Sequence, residues 1–190
     1  MAISKYLMDK NTTSKAERRL QLLQDKKIGW LFIFVGLLAF IAFVYSGREY
    51  NRTIIQFKYI LLCSIIAGLT IGSLTLKYSR RTNGNSFNIW KHFLWASIIY
   101  GSLLCGLFFW TNIHLAKSNL SIIKTPILAR FETFRYSHRY VTVNISDFEK
   151  DIPVPNIEMS EIKKSNFIVL TLNKGFWGFS FVVDKKLLIN

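Results

Sequence analysis

The chain has 190 residues, 51% of them apolar, and carries 25 Lys/Arg against 11 Asp/Glu for a formal net charge of +14. Soluble domains average about 45–50% apolar, and the excess here is gathered into three long runs between Ile28 and Ala116. The positive charge is scattered along the chain with no dense basic arm, which points away from nucleic acid and toward the flanks of membrane spans.

Residues 1–27 are polar, with seven Lys/Arg and three acids. Ser14-Lys15-Ala16-Glu17 has the spacing of a capping box. Leu20, Leu22 and Leu23 follow among Arg18, Arg19, Gln21 and Gln24. That pattern fits either a short amphipathic helix on a membrane surface or a solvated extension of the first span.

The first span is expected over 28–47, IGWLFIFVGLLAFIAFVYSG, between Lys27 and Arg48. At 1.5 Å rise per residue this run covers roughly the 30 Å hydrocarbon core. Trp30 and Tyr45 lie near its ends, at headgroup level. The charged stretch before it and the apolar run itself are both too long for a cleaved signal peptide, and no A-x-A site follows. The second span is expected over 59–76, between Lys58 and Lys77, and the third over 93–116, before Lys117. The polar stretch Arg80–Ser86 joins them as an antiparallel pair.

Beyond residue 116 the period changes. Val141, Val143 and Ile145 alternate on one face of a strand. Ile127 to Tyr136 reads as a weaker strand, joined to it through Ser137-His138-Arg139. Ser146 to Lys164 is acidic, contains Pro153 and Pro155, and reads as a loop with one helical turn. Asn166–Leu172 and Phe176–Val183 read as the strongest strands, joined by Asn173-Lys174-Gly175 with Gly175 supplying positive φ. Asp184-Lys185-Lys186 is expected to turn into a last short strand, Leu187–Ile189. Both cysteines, Cys63 and Cys105, lie in apolar runs, so residues 117–190 hold no disulfide. The expected fold class is therefore a membrane α-helical region of three transmembrane helices with a small, mostly antiparallel C-terminal β domain.

Orientation follows from the flanks. Seven Lys/Arg precede span one and four lie between spans two and three, against three between spans one and two. The positive-inside rule then puts residues 1–27 in the cytoplasm and residues 117–190 outside it, with a bacterial inner membrane as the expected setting.

Few residues suggest chemistry. Gly68 and Gly72 form a GxxxG in span two, and Ser97, Gly101 and Cys105 recur at steps of four in span three. Small residues at that spacing let helix backbones approach closely, either to a partner protein or between the two spans. The spans contain no Asp, Glu, Lys or Arg, which argues against ion-coupled transport by one chain. His92 and His114 are 22 residues apart, too far along one helix to ligate one haem. His138 stands near no metal-ligand partner. Asp147, Glu149 and Asp151 lack the glycine and distal Glu of an EF-hand. No hydrolase, P-loop or dinucleotide motif occurs. Gly175-Phe176-Trp177-Gly178 reads as a strand start with a bulge at Gly178. Phe176, Trp177 and Phe179 are candidate contacts for a partner.

The sequence thus leads us to expect a non-enzymatic membrane accessory subunit or assembly factor, without cofactor or metal. It would bury itself in membrane lipid, dock on a membrane protein complex or on a second copy of itself, and bind no nucleic acid. The alternatives are a small immunity or envelope-stress protein that acts by binding, and a membrane enzyme using His114 or the acidic loop at the interface.

Overall fold

The computed structural model describes residues 29–83, 87–133, 138–145 and 148–189. The N-terminal segment with its capping box, residues 84–86 of the polar turn, residues 134–137 and Asp147 lie outside the described residues.

Three helices are long and apolar enough to cross a membrane: α1 (Gly29–Arg52), α2 (Phe57–Asn83) and α3 (Ile89–His114). Each starts close to its uncharged run. α1 and α2 continue past theirs into charged flanks, because backbone hydrogen bonding does not stop where hydropathy does. α3 begins at Asn88, whose side chain accepts the Lys91 N–H at 3.1 Å as an N-cap.

The polypeptide then forms β1 (Leu120–Thr133), β2 (His138–Ile145), β3 (Phe148–Pro153), a short helix α4 (Met159–Lys164), β4 (Ser165–Lys174) and β5 (Ser180–Ile189). All pairings are antiparallel, in the order β3-β2-β1-β4-β5. The long strand β1 changes partner midway. Residues 120–126 pair with β4 and residues 127–133 with β2. Pro126 stands at the handover, where a missing N–H costs the ladder least.

The sheet rolls so that its two edges approach. The Lys185 amine on β5 donates to the Pro153 carbonyl on β3, and this rolled five-stranded sheet, open between β3 and β5, is called the barrel below. Its core is aliphatic: Val141, Val143, Ile168 and Leu170 are fully buried, with Ile145, Ile152, Val154, Ile162 and Leu187 around them. Arg130 of β1 donates to the carbonyls of Ile162 and Ser165, at 3.0 and 2.5 Å, and so satisfies the C-terminal end of α4.

Six expectations are corrected. Phe148–Pro153, read as loop, is a strand whose inward positions are Lys150 and Ile152. β1 begins at Leu120, seven positions before the expected start. β5 runs unbroken through Asp184-Lys185-Lys186, where a turn was expected. The β4–β5 connection is Gly175–Phe179, so Phe176 lies in the turn and not in a strand. The positive φ belongs to Gly178, at +87°. The bulge falls at Val183 instead, where Thr171 pairs with Asp184 and Leu172 with Val182.

Candidate functional site

The small residues of α2 and α3 face each other. A Cβ on Gly68 would collide with the Ser97 side chain and its Cα, and one on Gly72 would lie 2.8 Å from the Phe93 ring. Gly101 meets Ser64, where a Cβ would stand 2.7 Å from the serine Cβ. Cys105 is buried, its sulfur 3.4 Å from Ser64 Oγ. The glycine stripe is thus occupied within the chain. Gly106 gives α1 the same access, with Ala42 across from it. His92 ties the far end, its Nε2 2.8 Å from the Gly72 carbonyl, which accepts.

At the opposite end of α2 and α3 the barrel is fastened to the helices at three points. Asn112, in the last turn of α3, is fully buried. Its Nδ2 donates to the Phe179 carbonyl at 2.9 Å and its Oδ1 accepts the Trp177 N–H at 3.1 Å. Its backbone carbonyl accepts the Phe176 N–H at 3.0 Å. Gly175 lies so close to this amide that a Cβ there would overlap it. Trp177 Nε1 adds a bond to Thr111 Oγ1 at 2.8 Å, and the Phe108 and Phe179 rings meet edge to face at 5.6 Å.

The second point is the α1–α2 linker. Thr53 bridges to Phe181, and the Ile54 N–H donates to the Ser180 carbonyl at 2.8 Å. The first residues of β5 are therefore covered by backbone from the linker. The third point is Lys150 on β3. Its amine donates to the Tyr50 carbonyl at 2.9 Å and lies 3.4 Å from the centre of the Tyr50 ring. Burial pushes this amine down to about 8, against the pull of Asp151.

An apolar groove of about 520 Å3 opens beside the first of these fastenings. α2 supplies Tyr59 and Cys63, α3 supplies Leu104 and Phe108, and the barrel turn supplies Trp177 and Phe179. Of the three aromatics expected to meet a partner, Phe176 and Trp177 are more than half exposed, at 55% and 56%. Phe179 is half-buried and engaged with Phe108. The turn therefore does two things: its backbone clasps α3, and its rings remain accessible beside the groove.

The groove offers shape and apolar surface. No group of three or more His, Cys, Asp or Glu is placed to hold a metal ion among the described residues. The His114 ring lies tilted against Trp110, with centroids 5.3 Å apart. Glu149 and Asp151 point outward from β3, and Asp151 accepts a bond from Thr142 Oγ1 at 2.8 Å. Sequence reasoning passed over Asn112 and Lys150. A carboxamide at the end of an otherwise apolar span was the available signal, since it must find partners when buried. No protein-family model, curated protein or solved structure matches the chain.

Proposed function

We propose that this protein is a non-enzymatic accessory subunit or assembly factor of a larger membrane complex. Its three helices lie in the plasma membrane of a bacterium, residues 1–27 face the cytoplasm, and the barrel stands outside as a fixed platform. The observation that carries this reading is the groove at the joint. One apolar surface is walled by two helices and closed by Trp177 and Phe179 of the barrel. A partner helix laid there would read both regions at once, by apolar packing in lipid and by aromatic contact at the interface. The Asn112 clasp supports it further, because a barrel locked to its helices presents its outer faces at a set height and angle.

Two experiments test this. The first fills the groove with Cys63→Phe and Leu104→Trp in the full chain and purifies it in mild detergent. Stoichiometric recovery of a larger membrane complex with the wild-type chain, lost in the filled variant, is the expected result. Recovery of a second copy alone would make the groove a homo-oligomer contact, and equal recovery by both chains would overturn the reading. The second places single cysteines at Asn156 and Ser86 in a chain lacking Cys63 and Cys105. An impermeant reagent added to intact cells should label position 156 and spare position 86; the opposite pattern reverses the orientation.

A further inference from the structure

A second cavity, of about 490 Å3, opens where the last turn of α1 meets the two approaching edges of the barrel. Arg48 and Arg52 reach it from α1, Arg139 from β2 and Lys185 from β5. Among the described residues, Asp184 is the one carboxylate in its lining. Two more stand behind these cations. Glu49, nearly buried, lies 3.8 Å from Arg48 and 3.3 Å from Arg52. Glu132 lies 3.2 Å from Arg139. Among the described residues, four cations thus face three carboxylates, an excess of one positive charge.

The imbalance is sharpest at two places. The Arg48 side chain is 78% exposed and holds Glu49 only at the edge of ion-pair range. The Lys185 amine is held by a carbonyl, that of Pro153. Burial lowers its affinity for a proton, and the nearby Arg52 lowers it further against the pull of Asp184. Cations drawn together in excess of their carboxylates, one of them partly desolvated, attract a further anion.

Arginines in the last turn of a helix and beside a membrane span have ordinary explanations in the helix dipole and the bilayer flank. Those explanations cover Arg48 and Arg52. They do not cover Arg139 and Lys185, which come from separate strands of the barrel and border the same space. We propose that this cavity binds the phosphate of an anionic phospholipid headgroup. Arginine forks match phosphate oxygens in pairs. A volume near 490 Å3 exceeds what a bare phosphate fills and suits a headgroup, whose carbon atoms would meet Ile152 and Val182. Position favours lipid over a soluble ester, because Arg48 directly follows the uncharged run of α1, at the level where headgroups lie.

The test uses the full chain in mild detergent and follows its thermal melting with added phosphatidylglycerol, phosphatidylcholine or glycerol 3-phosphate. Phosphatidylglycerol should raise the melting midpoint and phosphatidylcholine should not. Arg48→Gln alone, at an exposed position with little part in folding, should weaken phosphatidylglycerol binding roughly tenfold. Lys185→Met added to it should abolish the shift. Equal protection by glycerol 3-phosphate, with the same dependence on Arg48, would keep the phosphate site but overturn its assignment to lipid. Equal protection by phosphatidylcholine, or an unchanged response in a folded Arg48→Gln chain, would overturn the site.

Discussion

Between α2 and α3 the closest contacts form where side chains are smallest, at Gly68, Gly72 and Gly101. In the barrel they form where aliphatic side chains are largest and most completely buried, at Val141, Ile168 and Leu170. On the membrane placement proposed above, two solvents explain the contrast. Lipid gives helices no hydrophobic reason to associate, so they gain from backbones brought close enough for dense van der Waals contact. A barrel in water gains from apolar area removed from water, and large branched side chains supply it. The same chain therefore reads as exposed apolar surface along α1 and as a closed aliphatic core from Ile127 onward.

The largest effect that would sharpen this contrast is expected in the barrel. Leu170→Ala empties a fully buried site in a small core and should cost about 2–5 kcal/mol. The barrel should unfold at far lower denaturant while α1–α3 remain inserted, since each helix satisfies its own backbone. Loss of insertion along with the barrel would show that the two regions fold as one. The measurement is protease resistance of the barrel beside membrane fractionation of the same sample.

Asn112→Ala probes the joint itself. It leaves the Trp177 N–H and Phe179 carbonyl without their partner, at a cost of about 1–3 kcal/mol. Both regions should keep their own folds while the 175–179 turn loosens, visible as faster amide exchange at Trp177 and as greater Trp177 exposure to a quencher. An unchanged exchange rate would mean that the linker and Lys150 hold the barrel without the clasp.

A matched pair of glycines tests the helical side. Gly68→Ala should cost about 1–3 kcal/mol in detergent unfolding, because its Cβ meets Ser97 backbone that cannot yield easily. Gly36→Ala meets nothing within 4 Å and should be neutral, or stabilising by up to about 1 kcal/mol through helix propensity. Equal effects at both positions would remove close approach as the basis of the α2–α3 contact.

These regions also differ in how much of them could be read in advance. Helices α1–α3 were legible because some 20 uncharged residues in a row admit few alternatives. Strand β2 was legible because Val141, Val143 and Ile145 alternate cleanly. Strand β3 was not. Its sequence FEKDIP turns a lysine inward and ends on proline, and a buried lysine is intelligible only once Tyr50 lies across from it. The first half of β1 was hidden by Pro126, which is tolerated only because the strand changes partner there. The turn 175–179 was placed wrongly because its shape depends on Asn112, more than 60 residues away in the chain. The aromatic turn was singled out for contact with a partner, and the structure sets it against α3 of the same chain; the groove beside it was not read, since three separate segments build it.

The smallest expected effect concerns Lys150, a buried inward charge at the edge of the barrel core and the residue that blurs the contrast between the two regions. Burial, against the pull of Asp151, lowers its amine from the ordinary value of 10.5 to about 8 before the Tyr50 contacts are counted. The unfolded chain therefore holds more protons on this group between those two values. Stability should rise with pH across that window, and the penalty for burying the charge is fully present below about pH 8. By linkage alone the rise would reach on the order of 3 kcal/mol. The Tyr50 carbonyl and ring favour the charged amine and oppose the change, together by about 2 kcal/mol. The net rise is then about 1 kcal/mol. Lys150→Met removes the titration and should flatten the melting profile of the barrel from pH 8 to pH 10 while leaving its midpoint at pH 9 within a few degrees. A wild-type profile already flat over that range would mean that the Tyr50 contacts offset the burial of this charge completely. Lys150 would then act as a fastening between barrel and α1, and not as a cost carried by the barrel.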